Sequence, residues 1–335
     1  MQNTIFIVQT HAAVLQQTNF NVLKRPNAFS KNKLSIKKTF YGHGKLLITA
    51  EYYVLAGAKA LAVPCKQGQS LVFEENNSSL LSWQSFDLQG NCWFSGEFEL
   101  DPLKEIGGTP TGVGTKLLQI LQAARTLNPD FLRQGGQVQT HLEFDRKWGL
   151  GSSSTLISNL AEWAQINPFE LLENTFGGSG YDLSCASAQG PIHFQRNGFS
   201  PKVTPVEFNP PFAQQLFFVY QNNKQNSGSE IDKTKHLAFK DKEKINALTE
   251  AITSCENQAK FNAFLAEHEE LVGHYLKRIP IQKQLFNDFK GQIKSLGAWG
   301  GDFMLVSGDK EADLYFKTKG YSIFYPFEAL VLDSP

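Results

Sequence analysis

Apolar residues in this chain fall into two spacings, and the switch between them is sharpest near residue 150. From Gln137 to Asp145 the pattern alternates loosely (Val138, His141, Leu142, Phe144), as in a half-buried strand. From Leu156 onward apolar residues recur at helical spacing (Ile157, Leu160, Ala161, Ala164), which predicts a helix over Ser152–Gln165. Between them lies Trp148-Gly149-Leu150-Gly151-Ser152-Ser153-Ser154-Thr155. Glycines let backbone approach an anion closely, and the first free N–H groups of a helix favour negative charge. Strand, glycine-serine turn and helix together make a phosphate cradle. The same residues also suit a plain serine-capped helix start. Their spacing matches neither G-x-x-x-x-G-K-[ST] nor G-x-G-x-x-G.

The rest of the pattern surrounds this unit with both element types. Lys38 to Val72 reads as strands around a turn, with Gly42 and Gly44 as breakers and Leu46-Leu47-Ile48 as a buried run. Ser70 to Leu100 reads as hairpins, turned at Asn76-Asn77 and Gln89-Gly90-Asn91. Val113 to Leu127 is an amphipathic helix, and Asn167-Pro168 opens a short one through Asn174. Gly190–Arg196 and Gln215–Gln221 read as strands. Asp241 to Leu276 is charged, nearly glycine-free and helical, and a further helix is expected over Gln282–Lys294. A strand at Phe303–Val306, a helix at Lys310–Lys319 and a strand at Tyr321–Phe324 close the chain. Early strands, flanking helices and mixed connections argue α+β.

Composition narrows the classes. The chain has 335 residues, 41% hydrophobic and 19% charged, as in a globular protein. Lys plus Arg equals Asp plus Glu at 32 each, so no global field draws nucleic acid, and no nucleic-acid partner is expected. No apolar run approaches the ~20 residues of a membrane span. Cys65, Cys92, Cys185 and Cys255 are scattered, which fits a reducing cytoplasm better than a disulfide framework or a zinc site. Residues 1–35 lack glycine and clear periodicity, and read as a poorly structured extension.

Three segments in order carry a resemblance: Gly42-His43-Gly44-Lys45 through Glu51-Tyr52-Tyr53-Val54-Leu55-Ala56-Gly57, then Gly149-Leu150-Gly151-Ser152-Ser153-Ser154, then Leu296-Gly297-Ala298-Trp299-Gly300-Gly301-Asp302. Together they resemble the GHMP kinases, the superfamily of galactokinase, homoserine kinase, mevalonate kinase and phosphomevalonate kinase. Gly178-Ser179-Gly180-Tyr181-Asp182-Leu183-Ser184 resembles the S-G-x-D segment of the mevalonate and phosphomevalonate branch, in the form of the bacterial G-Y-D-I-A subgroup. The resemblance implies a two-lobed α+β fold: a ribosomal-S5-like N-terminal lobe over 36–198, a ferredoxin-like C-terminal lobe over 199–335, and a nucleotide in the cleft between them. It implies an ATP- and Mg²⁺-dependent small-molecule kinase, monomeric or homodimeric, acting on mevalonate or phosphomevalonate. A homoserine or sugar kinase, or a catalytically silent binding protein of the same fold, are the other readings.

Phosphoryl transfer asks mainly for positioning and charge neutralisation. The resemblance assigns Gly149, Leu150, Gly151, Ser152, Ser153 and Ser154 to the ATP phosphates, with the Ser153 hydroxyl on Mg²⁺. Glu173 is the matching second metal ligand, and Glu170 is its rival. Asp182 would take or orient the acceptor proton, although it also suits the N-cap of a helix starting near Leu183. Lys45 is the cation beside it. Glu51, Ser179, Gly180, Lys224, Ser227, Gly297, Ala298, Gly300 and Gly301 are the expected substrate-side residues. The chain departs from the family pattern at His43 (usually Pro), at Ala50 (usually Gly), and at Trp299 and Asp302, where glycine is general. Trp299 is expected to crowd the third loop, and Asp302 to bring negative charge near anions.

Overall fold

A computed structural model describes residues 37–76, 78–223, 230 and 239–333. The expected N-terminal extension, Lys224 and Ser227 lie outside these residues. Among the described residues two sheets form. The larger has eight strands: β1 (Lys37–Leu47), β2 (Ala60–Glu75), β3 (Leu80–Phe86), β4 (Cys92–Leu100), β5 (Leu103–Gly108), β6 (Gly136–Leu142), β7 (Ile192–Gln195) and β8 (Lys202–Pro205). Its path runs β5-β4-β3-β6-β2-β7-β8, with β1 on β2, and only β3–β6 is parallel among these pairings. The long β2 pairs with β6 through Gln69–Glu75 and with β7 through Ala60–Ala62. Between those stretches the C-terminal segment enters: Cys65 bridges Val331, and Leu332 N–H donates to Pro64 O at 2.9 Å.

The second sheet joins β10 (Gln292–Ser295), β11 (Phe303–Ser307), β9 (Leu216–Tyr220) and β12 (Phe324–Pro326), all antiparallel. Period two decides its faces. Leu216, Phe218, Phe303 and Leu305 pack toward Leu61, Val63 and Cys65 of β2, while Val219, Met304 and Val306 pack on Ile281, Phe286 and Phe316. Helices α1 (Gly112–Leu127) and α2 (Ser152–Ala164) cover the outer half of the large sheet through Leu117, Leu121, Ile157 and Leu160.

Several local expectations change. Gly42 and Gly44 do not break β1, which runs through them with a register shift between His43 and Lys45. They are small because neighbours are close: a Cβ on Gly44 would sit 3.0 Å from Gln67 O and 3.2 Å from Leu150 O. Asp241–Leu276 divides into two helices, Lys242–Thr253 and Gln258–Leu276, with the Asn257 side chain capping Lys260 N–H at 3.0 Å. The helix expected over Gln282–Lys294 is only Ile281–Leu285; a turn follows, and strand β10 begins at Gln292. Gln282 causes the change by mimicking backbone: its Oε1 accepts from Ile293 N–H and its Nε2 donates to Gly291 O, which holds the chain extended beside β11. The last strand begins at Phe324, not Tyr321.

Candidate active site

The strand, glycine turn and helix form as the pattern foretells, with glycine required at both turns. Gly149 has φ 69° and Gly151, the N-cap of α2, has φ 94°. Among the described residues no side chain caps α2, which leaves its first-turn N–H groups without a side-chain partner there. The three serines divide. Ser154 is buried and its hydroxyl donates to Gly151 O at 2.9 Å, whereas Ser153 is exposed.

Strand β1 delivers Lys45 to this loop. Its N–H donates to Leu150 O at 3.0 Å and its Nζ to Gly149 O at 2.8 Å. Gly151 leaves room for the side chain: a Cβ there would lie 3.2 Å from Lys45 Cγ. Burial pulls the Lys45 ammonium toward its neutral form, but Tyr181, Asp182 and Asp302 together outweigh it and raise its pKa, so it stays charged.

Asp182 arrives on α4 (Tyr181–Ser187). The helix begins one residue before Asp182, with Gly180 as N-cap at φ 85°, so Asp182 lies in the first turn and is not the cap. Its Oδ1 accepts from Leu183 N–H at 3.1 Å. Gly180 is packed tightly, since a Cβ would fall 2.9 Å from Phe169 Cδ1, and half-buried Ser179 precedes it. The Tyr181 ring centroid is 5.5 Å from Lys45 Nζ, and burial pushes the Tyr181 hydroxyl up to about 12.

The third loop faces the same place. Gly297, Trp299, Gly300 and Asp302 all have positive φ. Four successive carbonyls are each held by a side chain: Ala298 O by Tyr52 Oη at 2.7 Å, Trp299 O by Arg278 at 3.4 Å, Gly300 O by Asn223 at 2.8 Å and Gly301 O by Gln221 at 2.9 Å. Trp299 does not crowd the loop. It is 2% exposed and packs inward with Tyr52, Val272 and Tyr275. Asp302 turns toward the cradle: a Cβ on Gly149 would lie 2.5 Å from both of its carboxylate oxygens. The two glycine loops therefore meet, as expected.

Two assigned carboxylates sit elsewhere. Glu51, expected to serve in substrate or structural hydrogen bonding, is fully buried and ion-paired with Lys294, itself fully buried, which fits the structural role. His268 completes the cluster. Its Nε2 accepts from Ala50 N–H at 2.8 Å, which leaves Nδ1 to carry the proton 3.8 Å from Glu51 Oε2. Burial, with Lys294 nearby, holds this imidazole neutral. Next to it, Glu269 accepts from Ser295 N–H at 3.0 Å, and burial raises its pKa to about 7. Glu173, at the exposed end of α3 (Pro168–Glu173), faces Arg196 at 3.6 Å, and Glu170 is half-buried in the first turn. Among the described residues no group of three or more His, Cys, Asp or Glu could hold a metal ion. A cavity of 1010 Å³ lies between α2, α3 and α4, and Glu162 is the one ionisable residue among those lining it. Sequence reasoning missed Tyr181 as the neighbour of Lys45, and Tyr52, Gln221, Asn223 and Arg278 as supports of the third loop.

This arrangement belongs to a known fold. The two sheets and the flanking helices match the GHMP kinase fold, the α+β class expected. The structure is similar to mevalonate kinase from Methanococcus jannaschii, with a TM-score of 0.65 at 16% identity over 87% of this chain and 97% of that one. It is also similar to galactokinase from Lactococcus lactis crystallised with galactose (TM-score 0.64, 13% identity, 89% and 94% covered). Phosphomevalonate kinase from Streptococcus pneumoniae, in complex with phosphomevalonate and AMPPNP, superimposes with a TM-score of 0.62 at 16% identity over 84% and 95%. No protein-family model and no curated protein sequence matches the chain. Among the described residues no helix is long and apolar enough to cross a membrane.

Proposed function

We propose that this chain is an ATP-dependent small-molecule kinase whose acceptor is mevalonate or phosphomevalonate. The observation that carries the proposal is the convergence on one cleft of an uncapped helix N-terminus, a lysine bonded to the cradle carbonyl at 2.8 Å, and a carboxylate on a second helix start. The α2 N–H groups bind the ATP phosphates, and Lys45 offsets charge on the transferred γ-phosphoryl group. Its bond to the β-phosphate oxygen breaks as a bond to the acceptor oxygen forms. Asp182 orients a hydroxyl acceptor and takes its proton. The exposed Ser153 hydroxyl would be the protein donor to Mg²⁺, which would supply neutralisation of phosphate charge. Glu173, the second ligand implied by resemblance, would have to leave Arg196 to serve.

The choice of acceptor rests on Gly178-Ser179-Gly180-Tyr181-Asp182, since mevalonate kinase and galactokinase are about equally close in fold. ADP release should be followed with mevalonate, phosphomevalonate, homoserine and a sugar panel. Acceptor-dependent turnover with one of the first two is the expected result. Turnover only with homoserine or a sugar would reassign the acceptor. No turnover with any of them, in protein that binds ATP, would favour a silent binding protein.

A further inference from the structure

The residue that departs most from a glycine loop is also the one that reaches the cradle. Asp302 is clamped from both sides: its N–H donates to Asn223 O at 2.7 Å, and its carbonyl accepts from Gln221 N–H at 2.8 Å. Its φ of 57° turns the side chain away from the β11 direction and over Gly149. There the carboxylate is 9% exposed and acts electrostatically on Lys45. Lys45 Nζ is in turn bonded to the carbonyl of the same Gly149. A fixed negative group therefore already occupies the approach to the phosphate loop, and it shares the cation that a phosphate would need.

We propose that Asp302 sets the nucleotide affinity of this site, as an anion built into the third loop against which a phosphate chain must bind. The inference rests on the cleft being a nucleotide site, as proposed above. Glycine or any neutral residue at 302 would remove one of the two carboxylates that share Lys45 with the ligand. With Asp302, the polyphosphate meets a like charge beside the loop that binds it, and the two compete for one ammonium. The consequence is a cradle of correct shape with deliberately weakened hold.

The test is calorimetric titration of wild type, Asp302→Asn and Asp302→Ser with AMPPNP in the presence of Mg²⁺. Asn tolerates the left-handed backbone and keeps the side chain's size, and Ser guards against a failure of the first variant to fold, which thermal melting checks. Both variants are expected to bind about tenfold tighter or more, because removing a like charge near an anion in a partly buried site is worth at least that. Tighter binding by the variants, with none detectable in wild type, is the same result in stronger form. Equal or weaker affinity in the folded variants would overturn the assignment of Asp302, while nucleotide binding by all three forms would leave the cleft reading intact. No binding by any of the three folded forms would overturn the cleft reading itself, and the inference with it.

Discussion

Lys45 and Lys294 each face carboxylates, and their settings are opposite. Lys294 is fully buried, ion-paired with Glu51, and donates to Ser295 O at 2.9 Å. Lys45 is half-buried at the edge of a cleft, bonded to a backbone carbonyl, with Asp182 and Asp302 as charged neighbours. A sealed pair ties the Ala50–Tyr52 turn to strand β10 and the helix Gln258–Leu276. An unsealed lysine at a cleft, although flanked by two carboxylates, can still meet a new anion. The difference sets Glu51 in the buried framework and leaves Lys45 at the cleft, where we propose that it acts on the phosphoryl group.

Asp182→Asn is expected to lower phosphoryl transfer by about 10²–10⁴-fold, the usual cost of losing a positioned general base. ATP binding should persist, since the cradle is a separate element, and stability should change little.

In the sealed pair the effect should appear as stability instead. Lys294→Met leaves Glu51 buried without its partner, and urea unfolding should show a loss of about 3–5 kcal/mol. The double variant Glu51→Gln/Lys294→Met should recover much of that loss. A single variant as stable as wild type would mean that the pair does not hold the turn.

Glu269 gives a smaller, pH-dependent effect. Its folded pKa of about 7 lies above the ordinary value of 4.5, so the folded protein binds the proton more tightly than the unfolded chain. Its penalty on folding is absent below about pH 4.5 and grows as pH rises to about 7, reaching roughly 3 kcal/mol. Wild type should therefore lose stability relative to Glu269→Gln across that window, and the difference should be flat above it. Parallel stability–pH curves for the two proteins would contradict this.

Much of the fold was legible in local pattern. The cradle helix, the edges of α1 and the strand at Phe303 follow from periodicity, because each buries one face against a sheet. The site was legible where glycine forces a conformation, at Gly149, Gly151 and Gly180. What failed depended on distant partners. Glu51 and Lys294 are 243 positions apart, and Lys294 lay in a segment whose helical pattern concealed a strand held by Gln282. Trp299 seemed a crowding residue until its left-handed backbone turned the indole into the core. No local signal indicates which way a side chain leaves such a turn.

If the Gly149–Ser154 loop binds nucleotide phosphates, titration of Gly151→Val with AMPPNP and Mg²⁺ will show the loss of that binding. Any side chain at 151 must displace Lys45 and meet Ser154 Oγ, which lies 2.7 Å from the position its Cβ would take. With the fold intact by circular dichroism and melting, wild type should bind and the variant should not. Undiminished affinity in the folded variant would place the nucleotide elsewhere and contradict the account.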